Sequence, residues 1–396
     1  MCLLCHDEPE KGTHDPVADG ECLTCHNPHG SKYKALLAEA PIKLCLKCHD
    51  DVQDELVMSS NHKPARQDCT LCHSAHGKVA DKLISKDINT LCGDCHQDVK
   101  ESASLEYTHY PFVDGSCLDC HTPHGSTFEK LTKSNRLDLC GECHDDIDKW
   151  VVMKSPHVPV RAGQCNVCHE PHASSQAALL KGTRSDLCLG CHESLVKEGE
   201  GFALHPPFEE KECDLCHQPH GSDIKGLLSA DQNKICGECH DDVVTPPEGT
   251  HSNHKPVENG SCTSCHQPHM SKINGLLLDK PEQLCLSCHA DILKHAEGGM
   301  VHAPAEDGEC LGCHQPHHSQ FVSLLTEDVP AQCLNCHDGD DSEFKSKHLS
   351  LSGSQIDCRK CHNPHVSNEG VLMNAHSHDP FGSGDCYACH QQEDKR

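Results

Sequence analysis

Residues 20–30 read Gly-Glu-Cys-Leu-Thr-Cys-His-Asn-Pro-His-Gly, and residues 44–51 read Leu-Cys-Leu-Lys-Cys-His-Asp-Asp. Both stretches contain Cys-x-x-Cys-His, a pattern that recurs seventeen times in 396 residues. Copies of the first kind lie at Cys22, Cys25, His26; Cys69, Cys72, His73; Cys117, Cys120, His121; Cys165, Cys168, His169; and Cys213, Cys216, His217. They continue at Cys262, Cys265, His266; Cys310, Cys313, His314; Cys358, Cys361, His362; and Cys386, Cys389, His390. Copies of the second kind lie at Cys2, Cys5, His6; Cys45, Cys48, His49; Cys92, Cys95, His96; and Cys140, Cys143, His144. The rest are Cys188, Cys191, His192; Cys236, Cys239, His240; Cys285, Cys288, His289; and Cys333, Cys336, His337. All 34 cysteines are accounted for.

This spacing is the attachment signature of c-type haem. One helical turn must set two sulfurs and one imidazole around a rigid macrocycle. The sulfurs form thioethers, and the histidine becomes the proximal iron ligand. Other readings are weaker. A zinc site needs no histidine directly after its second cysteine. A redox dithiol occurs once, at the start of a helix in a βα pattern. A disulfide framework would not repeat the histidine. The expected cofactor is therefore haem c, 17 groups with their iron, covalently attached.

Composition agrees with a chain that does not build an ordinary core. Aromatic residues make up 3%, with one tryptophan, Trp150, against 28 glycines and 23 prolines. With about 23 residues per haem, the macrocycles must supply the apolar interior and touch one another. The formal charge is −28. Two propionates per haem take this to about −45 oxidised and about −62 reduced. Such a charge argues against nucleic acid and anionic lipid and suits cationic partners or plain solubility. No apolar run approaches membrane-spanning length. Haem attachment of this type takes place outside the cytoplasm, so a secretion signal is expected to have preceded Met1, and the protein is expected at the cell surface or in the periplasm.

Intervals of 23 residues alternate with intervals of mostly 24 to 26, which gives a two-haem repeat of about 48 residues. The expected organisation is one continuous array over 1–396. It comprises an N-terminal cap haem in 1–19, repeats at 20–67, 68–114, 115–162, 163–210, 211–259, 260–307 and 308–355, and a two-haem segment in 356–396. The chain opens on a motif of the second kind and closes on one of the first, and the sparsely covered end haems suit electron entry and exit. The apolar pairs Leu36–Leu37, Leu179–Leu180, Leu227–Leu228 and Leu324–Leu325 read as helices of one or two turns laid on haem faces. The fold class is mostly irregular coil with short α-helices and almost no β-structure, an elongated multihaem array.

Of 38 histidines, seventeen are proximal. Eight follow first-kind motifs in a Pro-His position: His29, His76 (after alanine), His124, His172, His220, His269, His317 and His365. Nine precede a first-kind cysteine by seven to ten residues: His14, His62, His109, His157, His205, His254, His302, His348 and His378. Together these provide one second axial ligand per iron. His251, His295, His318 and His376 are spare and read as surface or packing residues. Ligands on opposite faces of one iron have Cα atoms about 12–13 Å apart, whereas three residues span at most ~11 Å. His29 therefore does not complete the haem of His26, and Pro-His ligands are expected to reach a neighbouring haem. Iron held by two imidazoles has no open position, which argues for a carrier rather than an enzyme. The six methionines show no repeat register, and the acidic pair Asp50–Asp51 reads as a solvated helix end rather than a calcium site.

These motifs resemble the doubled-CXXCH family of multihaem c-type cytochromes over nearly the whole chain. The Gly-x-Cys-x-x-Cys-His-x-Pro-His-Gly block is also similar to repeats of decahaem cytochromes that cross outer membranes inside a β-barrel partner. Stacked bis-histidine haems resemble those of filament-forming cytochromes. The resemblance implies closely stacked haems and respiratory electron transfer. It implies as partners other redox proteins, the chain itself end to end, an outer-membrane barrel, or an extracellular acceptor such as a metal oxide. The expected function is an extracellular wire or filament subunit. A barrel-associated conduit rod and a multihaem reductase of nitrogen or sulfur compounds are the alternatives.

Overall fold

The computed structural model describes residues 2–7, 14–77, 81–197, 201–295 and 297–376. His378, Cys386, Cys389 and His390 therefore lie outside the described residues.

Each motif begins on one tight turn. Apart from the one at Cys2, which sits on the 3-10 turn Cys2–Leu4, motifs of the second kind enter on short helices whose starts are written in the sequence. Asp87 caps Ile88–Gly93, Asn135 caps Arg136–Gly141, Asp231 caps Gln232–Gly237 and Asp328 caps Val329–Leu334. Proline opens Pro41–Cys45 and Pro281–His289, where its missing N–H costs nothing. Motifs of the first kind sit on single 3-10 turns, such as Cys22–Thr24, Cys69–Leu71 and Cys165–Val167, or on the short helix Cys117–Cys120. Both kinds close the same way. The histidine N–H donates to the carbonyl of the first cysteine, 2.9 Å for His26 to Cys22 and 3.2 Å for His49 to Cys45.

Strands are two residues long and pair antiparallel. Ser60–Asn61 pairs with Gly125–Ser126, Tyr107–Thr108 with Ala173–Ser174, and Ser155–Pro156 with Gly221–Ser222. Ala203–Leu204 pairs with Met270–Ser271, Ser252–Asn253 with His318–Ser319, and Met300–Val301 with Val366–Ser367. Each ladder ties the residues before an upstream histidine to those after the Pro-His of the next repeat. The histidines themselves continue it: His62 N–H donates to the His124 carbonyl at 3.0 Å, and His302 N–H to that of His365 at 2.9 Å.

The apolar pairs are not helices of one or two turns, and that expectation is corrected. Leu36, Leu179 and Leu324 sit in turns with left-handed backbone, together with Ala35 (φ 54°), Ala178 (φ 55°) and Ser323 (φ 59°). Glycine takes the first place at Gly226 and Gly275 (φ 79° and 72°). Left-handed residues cost about 1–2 kcal/mol each outside glycine, so something local must hold them. A serine does part of this. Ser126 Oγ donates to the Thr132 carbonyl at 2.5 Å and accepts from Phe128 N–H at 2.9 Å. Ser174, Ser271, Ser319 and Ser367 repeat both bonds. All five are buried. Replacing Ser174 by alanine leaves the Leu180 carbonyl and the Gln176 N–H without this partner. It should lower stability by about 1–3 kcal/mol, read as a lower thermal midpoint with an unchanged haem spectrum.

The chain falls into two compact units, Met1–Cys191 with Gln218–Leu227, and His192–His217 with Leu228–Arg396. Among the described residues, the first buries only Leu56, Ile147 and Ala173 as apolar core, and the second only Val329 and Val366. No helix of the described residues is long and apolar enough to cross a membrane.

Candidate haem sites

Imidazole rings face one another in a fixed register. In one series an upstream histidine meets the second-kind histidine of its own repeat: His14 with His49, His62 with His96, His109 with His144, His205 with His240, His254 with His289 and His302 with His337. Their ring centroids are 6.0 to 6.2 Å apart. In the other series a Pro-His ring, or the Ala-His ring of His76, meets the first-kind histidine one repeat back. These pairs are His76 with His26, His124 with His73, His172 with His121, His220 with His169, His269 with His217, His317 with His266 and His365 with His314. Their separations run from 5.7 to 6.1 Å. His348 breaks the pattern by meeting His362, fourteen residues on, at 6.4 Å. His6 and His29 face no imidazole among the described residues.

Nitrogen roles follow from the backbone around the rings. First-kind histidines donate Nδ1–H to the carbonyl of a left-handed residue: His26 to Ala35 at 2.8 Å, His73 to Lys82 at 2.9 Å, His169 to Ala178 at 2.9 Å and His266 to Gly275 at 2.9 Å. Upstream histidines donate Nδ1–H to the proline carbonyl of the next repeat's Pro-His, His62 to Pro123 at 2.9 Å and His157 to Pro219 at 2.7 Å. A neutral imidazole whose Nδ1 carries the proton keeps the Nε2 lone pair for a metal. The strained turn thus fixes the tautomer of the proximal ligand.

Burial first, and the facing imidazole second, hold His172, His220, His269, His317 and His365 below the ordinary histidine value of 6.5. A ring kept neutral in the fold takes up its proton on unfolding. The unfolded chain then binds more protons below about pH 6.5, so stability drops as pH falls through that value. In the haem-loaded protein an iron bond to the same rings would hold them neutral as well, so the melting midpoint should decline from about pH 6.5 downward, and a flat profile there would contradict this account.

The residues fit haem c. Two metal–nitrogen bonds of about 2.0 Å plus half of each ring need ring centres about 6 Å apart, as these pairs provide. The described cysteines form no disulfide. No three His, Cys, Asp or Glu side chains among the described residues converge as a metal cluster. Leu3, Leu23, Leu71, Leu215 and Leu311, inside the motifs, remain exposed as apolar surface for a macrocycle to cover. Motifs are also neighbours in chain order. The first cysteines of adjoining motifs lie side by side, Cys45 with Cys69 and Cys140 with Cys165. Within a repeat the second cysteines are also neighbours, Cys25 of Cys48 and Cys72 of Cys95.

Among the spare histidines, the geometry chooses His254 over His251 and His317 over His318 as the facing ring. His318 instead shares its Nε2 with the Asp242 carbonyl. Asp50 and Asp51 open the helix Asp50–Leu56. Sequence reasoning missed the serine two places after each Pro-His, the left-handed turn, and the side chains against the distal rings. Those last include Trp150 on His220 at 4.1 Å, Phe112 by His172 at 5.2 Å and Phe208 by His269 at 5.1 Å.

The family model for the doubled CXXCH motif matches seven times, at residues 14–54, 62–101, 109–149, 157–197, 205–245, 254–294 and 302–342, well over half of the chain. Each match runs from an upstream histidine through both motifs of one repeat, so the unit begins some residues before the boundary that motif spacing suggests. No curated protein matches the chain. Seven doubled motifs imply about 14 covalently bound haems and maturation outside the cytoplasm. The chain belongs to the doubled CXXCH family of multihaem c-type cytochromes.

Proposed function

We propose that the chain passes electrons from haem to haem through seventeen covalently held c-type groups, with two histidines ligating the iron wherever imidazoles face each other. The observation that carries this reading is the register of facing imidazoles about 6 Å apart, repeated in both motif series. Haem supplies the one-electron chemistry. The chain's own residues attach it, fix the ligand tautomers and space neighbouring groups.

Iron ligated on both faces has no position for a substrate, so the reading is a carrier and not an enzyme. The two distal ligands of one repeat, His62 and His124 for His96 and His73, are joined by one ladder, which supports concerted spacing of the two irons. The setting is respiration beyond the cytoplasm, with the chain as a wire or filament subunit. A rod bound to an outer-membrane barrel is the second arrangement. The charge of −28 suits cationic docking surfaces.

Electron paramagnetic resonance of the oxidised protein should show low-spin iron only, with no rapid binding of cyanide or nitrite. A fast-binding high-spin iron would instead favour the reductase. Negative-stain microscopy separates the two carrier arrangements, by filaments or by single rods.

A further inference from the structure

The Nδ1 of His124 meets a side-chain anion, unlike that of the first-kind and upstream rings described above. The rings described above donate Nδ1–H to backbone carbonyls. His124 donates to the carboxylate of Glu55 at 2.9 Å, with the two side chains 26% and 41% exposed. The approach is built into the backbone. Glu55 lies near the end of the helix Asp50–Leu56, anchored by buried Leu56. The Glu55 carbonyl passes so close to Gly125 that a Cβ there would sit 1.8 Å from its oxygen, so glycine is required next to the ligand. The ladder of Ser60–Asn61 with Gly125–Ser126 holds the other side.

Glu55 is six residues after His49, and Trp150 is six residues after His144. Trp150 stacks on His220 with rings 22° apart. The same place in two repeats therefore puts an anion on one distal ligand and an apolar indole on another. His172 and His269 meet Phe112 and Phe208.

We propose that Glu55, acting through His124, holds the haem of Cys69 and Cys72 at a lower reduction potential than the haems completed by His172, His220 and His269. The proposal rests on the reading that His73 and His124 share one iron. An Nδ1–H given to a carboxylate leaves the ring more anionic than a ring packed against an apolar aromatic side chain, as His172, His220 and His269 are. A more anionic ring donates more strongly to iron and favours the ferric state. The repeat thereby carries a place where potential is set one haem at a time, without touching the ligand set.

The test is Glu55→Gln in the fully haem-loaded chain, followed by spectroelectrochemical titration and electron paramagnetic resonance. Glutamine keeps the shape and an acceptor but removes the charge. One haem should shift to higher potential while the others stay in place and every iron stays low-spin. Superimposable titrations of parent and variant, with low-spin spectra, would overturn the proposal and leave the ligand pairing standing. His124→Ala examines the pairing separately. It should create one high-spin iron, and a spectrum that stays wholly low-spin would overturn the pairing and the proposal with it.

Discussion

Produced without haem attachment, this chain should be unfolded, with a far-ultraviolet spectrum of coil and cleavage by protease at many sites. The apolar side chains buried among the described residues are Leu56, Ile147, Ala173, Val329 and Val366. A buried large aliphatic side chain contributes ~1.5–3 kcal/mol, whereas ordering each residue costs ~1–2 kcal/mol. The strands are two residues long and most turns are single, below the length at which helices or hairpins persist alone. Covalently attached macrocycles would close the gap, since two thioethers per haem, and the facing imidazoles where they ligate iron, would crosslink residues of successive repeats. A cooperative thermal transition in the haem-free chain would refute this account. The haem-loaded protein should by contrast resist protease, because each local opening must break an iron–nitrogen bond.

Replacing His172 by alanine should convert one iron from low to high spin. The His172 ring faces that of His121 at 6.1 Å, and its loss leaves His121 as the lone axial ligand. The oxidised variant should then bind cyanide, and the reduced variant carbon monoxide, at one haem per chain. That haem's potential should rise, because a strong donor to ferric iron is gone. The ladder of Tyr107–Thr108 with Ala173–Ser174 is made by backbone and should persist, so the change stays local. His318→Ala is the control. His318 lies one residue from a facing ring but pairs with the Asp242 carbonyl, and its loss should leave the iron spectrum unchanged. A low-spin spectrum in the His172 variant would mean that another residue had taken the position.

Covalent chemistry was legible in the sequence because it is local. Five consecutive residues carry both sulfurs and the proximal imidazole, so nothing distant is needed to recognise them. The two classes of histidine that face a motif histidine were also legible, since His124 and its counterparts stand at constant distance from a motif. The serine of the Pro-His turn was visible as Ser126, Ser174 and Ser222 but meant nothing without the carbonyl six residues on. Glycine at Gly226 and Gly275, where other repeats carry alanine, lysine, serine or valine, was the available sign of the left-handed turn. It was obscured because those other residues also adopt positive φ.

By itself, the sequence determined the cofactor, the two-motif repeat, the scarcity of core and the reach limit that keeps His29 off the iron of His26. Those follow from bond lengths, spacing and composition, all short-range or global quantities. Only the tertiary structure decided which ring faces which, sending Pro-His rings one repeat back and keeping upstream rings within their own repeat. It also put His348 against His362 and Glu55 against His124. Two-residue strands have too few positions for a readable period, and their partners lie a repeat away. Their register is set by backbone hydrogen bonds and by the rings they align, which no local pattern encodes.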